Sequence, residues 1–173
     1  MNHILYMKPI EKIVSQLDLE PHPEGGYYRE TYRSDGLIAK AALPDYYTAA
    51  RNYATCIYFL LTSDNFSAFH RIKQDEIWHF YSGSPITIHV IDKLGNYQKH
   101  SLGSEIENGI LPQLVVKGGD WFASEVETKD SYGLAGCTVS PGFDFDDFEM
   151  ADRDKLISQY PQHHEIIRRL TRA

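Results

Sequence analysis

The sequence predicts an all-β domain, a sandwich or barrel of short strands with helices only at its ends. Two observations carry this. Strand-like runs recur about every 8–12 residues from Tyr53 to Phe143, with Gly, Pro, Asn or Asp turn signals between them. Helical periodicity is confined to the first and last stretches of the 173 residues. The twelve tyrosines lean the same way, because aromatic side chains suit a pleated sheet.

In chain order, Ile10, Ile13, Val14 and Leu17 form one apolar stripe of a short helix that Pro21 and Pro23 are expected to stop. Gly25-Gly26 turns the chain into an alternating strand, with Tyr28, Glu30 and Tyr32 on one face and Tyr27, Arg29, Thr31 and Arg33 on the other. Residues 34–50, with Pro44, read as a loop. "YATCIYFLLT" is apolar throughout, as in a strand covered on both faces. "FSAFHRI", a "KQD" turn and "EIWHFYSG" follow, then "ITIHVID", joined by the "KLGN" hairpin signal to the more exposed "YQKHSLG". "LPQLVVKGGDWFASEV" reads as strand, Gly-Gly turn, strand, and "YGLAGCTVSPGF" is the last clear strand. The acidic "FDFDDFE" is expected to open a C-terminal helix, where carboxylates suit the dipole. Asp152 is placed to cap a helix bearing Leu156, Ile157 and Tyr160, and Pro161 restarts it with Ile166, Ile167 and Leu170.

A net charge of −7 with no basic run excludes an electrostatic nucleic-acid footprint. No segment reaches the roughly 18 apolar residues of a membrane helix. The opening "MNHILYMKPI" lacks the basic start and apolar block of a signal peptide. Cys56 and Cys137 sit in apolar runs and read as buried free thiols, which points to a cytoplasmic protein.

Chemistry concentrates in "AFHRIKQDEIWHFYSG". His70 shares a strand face with Ile72, and Glu76 shares one with Trp78 and Phe80. If the intervening turn brings His70 and Glu76 to one interior, they form an acid–base pair over an aromatic floor, or a polar network bonded only to itself. His79, an odd number of residues from Glu76, points outward.

These residues resemble the first motif of the cupin superfamily: His70 matches its first His, Glu76 its Glu and Gly83 its closing Gly, while Ile72 replaces the second His. In "KGGDWF", Phe122 stands where the second motif has its His ligand. "HPEGGYYRETYRS", "FHRIKQDEIWHFYSGSP", "GDWFASE" and "GCTVSPGFDFDDFE" together resemble the cupin-5 family, formerly a domain of unknown function. The resemblance implies a double-stranded β-helix (jelly-roll, RmlC-like) barrel, a single domain over residues 1–173 with its core at about 25–148, and a homodimer. Apolar Ile72 and Phe122 leave too few ligands for a divalent metal, so no cofactor is expected. The expected function is binding of a small polar metabolite, or metal-independent isomerase or epimerase chemistry on a sugar or nucleotide sugar. A non-catalytic binding protein is the alternative, and a metal-dependent oxygenase the weakest reading. His70 is the candidate base and Glu76 its partner or the acid. Tyr28, Arg29, Trp78, Phe80, Trp121 and Asp144 are candidate ligand contacts. His22, between two prolines, reads as a loop residue, with a role at a pocket rim left open.

Overall fold

A computed structural model describes residues 9–172. Most of the opening segment read for a leader lies outside them. Helix α1 (Pro9–Gln16) ends before the prolines: Asp18 turns the chain at φ 53°, and Pro21 already lies in the edge strand β1 (Glu20–Pro21), where its missing N–H faces no neighbour. Strand β2 is Tyr27–Arg33. The loop expected at 34–50 carries only Leu37–Ile38 (β3), which pairs with Arg51–Asn52 (β4), and a short 3-10 turn.

The remaining strands are β5 (Thr55–Thr62), β6 (Phe66–Ile72), β7 (Glu76–Gly83), β8 (Ile86–Ile91), β9 (Tyr97–Leu102), β10 (Gln113–Val116), β11 (Trp121–Glu125), β12 (Tyr132–Val139) and β13 (Phe148–Met150). One antiparallel sheet has the order β1-β2-β5-β12-β7-β10 and the other β13-β6-β11-β8-β9. From β5 to β13 every connection crosses between sheets except the β8–β9 hairpin at Asp92–Asn96. The "KQD" turn is therefore a corner, and it places His70 and Glu76 on facing sheets. The Gly118-Gly119 corner docks on it. Gly119 N–H donates to Ile72 O at 2.7 Å, and a Cβ on Gly118 would sit 2.3 Å from Lys73 O.

The inner faces bury Phe59, Leu61, Trp78, Ile86, Ile88, Leu102, Phe122 and Ala135. A second core lies on the outer face of the five-stranded sheet, where Phe69, Ile91 and Trp121 pack under α2 (Arg153–Gln159) and α3 (His164–Arg169). Asp152 caps α2 by accepting from Lys155 N–H at 3.1 Å. Strand β8 is buried along its whole length because it is covered by both cores. Strand β5 is buried at Thr55 and over Phe59–Thr62 but half-buried between them. "FDFDDFE" does not open the helix: Phe148–Met150 adds β13 to the sheet, and buried Asp147 binds the Arg51 guanidinium through two 2.6 Å bonds. Lys73 and Gln74 also reach Asp147, at 2.9 and 2.7 Å, which fixes the segment at the barrel mouth.

Candidate active site

One end of the barrel holds a cavity of about 310 Å³, the size of a small-metabolite site. His70, from β6, and Glu76, from β7, both line it. A third group that the strand pattern does not reveal is Glu24, in the turn before β2. Gly25 (φ 117°) and Gly26 (φ 76°) let that turn pass hard against β6, and a Cβ on Gly25 would lie 2.1 Å from Phe66 O. Ala68 N–H donates to Glu24 O at 2.9 Å, and Ser67 Oγ donates to Glu24 Oε1 at 2.9 Å.

Glu24 Oε2 lies 2.9 Å from His70 Nε2, and His70 Nδ1 lies 2.7 Å from Ala68 O. A carbonyl and a carboxylate both accept, so both ring nitrogens carry protons and His70 is an imidazolium. Burial works against both charges, but mutual attraction and hydrogen bonding prevail, holding His70 above and Glu24 below its ordinary value. His70 thus has no lone pair for the base role that the sequence suggests. His22 is different: its Nδ1 accepts from Glu24 N–H at 3.3 Å, and burial pushes its pKa down, so it is neutral.

Glu76 is 8% exposed, and burial, with Glu24 as a neighbouring negative charge, pushes its pKa up to about 7. The pull of His70 and a hydrogen bond with the Cys137 thiol oppose this only in part. The Cys137 thiol is itself pushed well up by burial and is not a nucleophile at neutral pH. At neutrality the cavity therefore contains a fixed imidazolium–carboxylate pair and a separate carboxyl able to gain or lose a proton.

Tyr28, Trp78 and Asp144 line the cavity as expected. Arg29 does not: its guanidinium binds Leu17 O at 3.0 Å on the outer face. The cation at the mouth is Arg33, because a register shift between Glu30 and Tyr32 returns it to the inner side. Arg33 is bound by Glu30 at 2.9 and 2.7 Å, by Asn52 Oδ1 at 2.9 Å and by Phe143 O at 3.1 Å. Phe80 packs on the inner core away from the cavity. Trp121 faces the second core, with Arg71 4.5 Å over its ring. His79 points outward, 3.3 Å from both Thr138 Oγ1 and Gln113 Nε2. His89 lies under the C-terminal helices, bonded to Glu125 and Tyr97.

The four positions that a cupin metal would use do not fit one. Ile72 and Phe122 offer no donor atom, and Phe122 instead packs its ring 4.0 Å from that of His70. Both His70 nitrogens are committed, and among the described residues no three His, Cys, Asp or Glu side chains are grouped to hold an ion.

A protein from Leishmania major is 35% identical to this chain with a TM-score of 0.87, covering 96% of this chain and 100% of that one. A Shewanella oneidensis protein is 37% identical with a TM-score of 0.85, covering 96% and 99%. An uncharacterised Saccharomyces cerevisiae protein is 30% identical over 147 residues, 80% of this chain and 73% of its own. Oxalate decarboxylase from Bacillus subtilis, at 13% identity, a TM-score of 0.54 and coverage of 88% and 37%, shares the fold alone. The family described as Cupin superfamily (DUF985), Cupin_5, matches residues 11–151, and the chain belongs to it.

Proposed function

We propose that the cavity binds a small hydroxylated carbonyl compound, of sugar size, and moves a proton on it without a metal, as isomerases and epimerases do. The observation that carries this is Glu76, a buried carboxyl titrating at about 7 beside a fixed imidazolium. In its ionised form Glu76 takes a proton from the carbon next to the carbonyl. The His70 charge favours the enediolate that results. Glu76 then gives the proton to the former carbonyl carbon, while the adjacent hydroxyl passes its proton to the first oxygen and becomes the new carbonyl. Return to the original carbon gives exchange without net change. Glu24 positions His70 and keeps it charged. The deuterium test is direct. Aldoses and ketoses that raise the melting temperature are incubated with the protein in D2O and followed by proton NMR. Label is expected at the carbon next to the carbonyl with the native protein and not with Glu76→Gln. A ligand that stabilises the protein and comes back unlabelled overturns the enzyme reading.

The second reading is a non-catalytic binding protein. The observation favouring it is that Ser67, Ala68 and His22 already meet the hydrogen-bonding needs around Glu24 and His70, as in a structural network. A homodimer belongs to the proposal. The outer face of the six-stranded sheet exposes Tyr32, Tyr81 and Val115, and light scattering checks it directly. A cytoplasmic location is likewise proposed. No helix among the described residues is long and apolar enough to cross a membrane.

A further inference from the structure

We propose that the ligand bears an ammonium group, held at the aromatic rim beside Asp144 and Glu20, with its uncharged hydroxylated body directed inward towards Glu76. The inference rests on reading the cavity as a ligand site and adds the ligand's charge. Five carboxyl side chains line the cavity (Glu20, Glu24, Glu30, Glu76 and Asp144) against one guanidinium, that of Arg33. Glu24 is balanced by His70 at 2.9 Å, and Glu30 by Arg33 at 2.7 Å. Asn52 and Phe143 O take two more of the five Arg33 N–H donors, so among the described lining residues one N–H of an already neutralised guanidinium is all that remains for a phosphate or carboxylate. At the mouth Glu20 is engaged by the neutral Tyr28 hydroxyl, and Asp144 feels Arg33 and Arg51 through space without a contact ion pair, while Glu76 waits inside with a thiol, a weak donor, as its hydrogen-bond partner. An anion entering here meets like charge at both ends, while a cation meets the opposite charge.

The rim supplies an independent reason. The rings of His22 and Tyr28 lie 4.5 Å apart, those of Phe143 and Phe145 5.0 Å, and those of Phe145 and Phe148 6.0 Å. The His22 ring also stacks at 6.3 Å on Phe145, which makes the wall continuous, yet Phe145 remains 51% exposed. Aromatic faces next to carboxylates form the cage that organic ammonium ions favour. A nucleotide sugar, with its pyrophosphate, is the wrong charge for this mouth.

Calorimetric titration with three matched probes tests the assignment. They are choline, 3,3-dimethylbutan-1-ol (carbon replacing the quaternary nitrogen) and 3,3-dimethylbutanoate. Choline is expected to bind about tenfold or more tightly than the alcohol, and the carboxylate more weakly than either. Asp144→Asn keeps the acceptor that receives Asp146 N–H at 2.9 Å, so the turn survives. In that variant the choline preference is expected to fall several-fold while the alcohol's affinity stays the same. Equal binding of choline and the alcohol, tighter binding of the carboxylate, or no choline binding at millimolar concentration overturns the proposal. Proton transfer stands or falls separately. Choline selectivity in a protein that labels nothing in D2O would leave the ammonium site intact and remove the isomerase reading.

Discussion

Two buried histidines, each paired with a glutamate, lie on opposite faces of the five-stranded sheet and hold their protons differently. His70 meets Glu24 at 2.9 Å on the inner face, and His89 meets Glu125 at 2.9 Å on the outer face. The second ring nitrogen separates them. His70 Nδ1 faces a carbonyl, which only accepts, whereas His89 Nδ1 lies 2.7 Å from the Tyr97 hydroxyl, which can donate as well as accept. Their neighbours differ as well: His70 lies among the carboxyls of Glu24 and Glu76, and His89 near the cations Arg169 and Lys99. Burial disfavours charge at both. It is outweighed at His70, whose pKa rises, and prevails at His89, whose pKa falls. A His–Glu distance therefore does not identify an acid–base site; what the second nitrogen faces and which charges surround the ring decide it.

The largest expected effect breaks the inner pair. Glu24→Gln leaves an imidazolium buried without its counter-charge and should destabilise the fold by about 3 kcal/mol. Glu125→Gln keeps an acceptor for the neutral His89 ring and gives up the ion pair with half-exposed Arg169, and should cost about 1 kcal/mol. Denaturant unfolding near pH 6 is the right comparison. The depressed Glu24 pKa contributes stability above its ordinary 4.5 that is lost as pH falls through the folded value. The raised His70 pKa contributes stability below its ordinary 6.5 that is lost as pH rises through the folded value. Both charges are present in the window between. Equal losses in the two variants would mean that His70 is neutral.

Glu76→Gln sharpens the comparison through pH. A carboxyl raised from 4.5 to about 7 binds more protons folded than unfolded, so native stability falls as pH rises between those values. Above pH 7 the accumulated penalty is about 3 kcal/mol, from roughly 1.4 kcal/mol per pKa unit. Glu76→Gln should therefore be more stable than the native protein at pH 8, with the advantage shrinking to nothing by pH 4.5. A pH-independent difference would show that Glu76 titrates normally.

Strand parity made much of this legible. It places His70, Glu76 and Trp78 inward and His79 outward, and all four lie so. The same rule misassigns Arg29 because a single extra residue near Thr31 reverses the alternation of β2 and brings in Arg33. Trp121 and Phe122 are adjacent in one strand and cannot both face the cavity. With Phe122 against His70, Trp121 must lie under the helices. Glu24 has no period to reveal it, because it sits in a turn and its partner is distant in sequence. The one available signal was a carboxylate immediately before two glycines, where a tight turn can aim a side chain. Asp147 escaped for a similar reason. Among neighbouring acids it looks like a helix start, and only the fold brings Arg51 to it.

The smallest expected effect tests the second nitrogen directly. Tyr97→Phe keeps the ring, whose centroid lies 6.0 Å from that of His89, and removes only the hydroxyl. The lost hydrogen bond should cost about 1 kcal/mol. The more telling change is in titration. With Nδ1 no longer engaged by a donor, it is free to take a proton, and the depressed His89 pKa should move up. Nitrogen-detected NMR of the imidazoles reads this for both histidines in one sample, with His70 as the internal reference that does not move. If His89 stays where it was, burial and the nearby cations alone keep it neutral. The contrast with His70 would then be one of surrounding charge, and the hydrogen-bond partner would drop out of the argument.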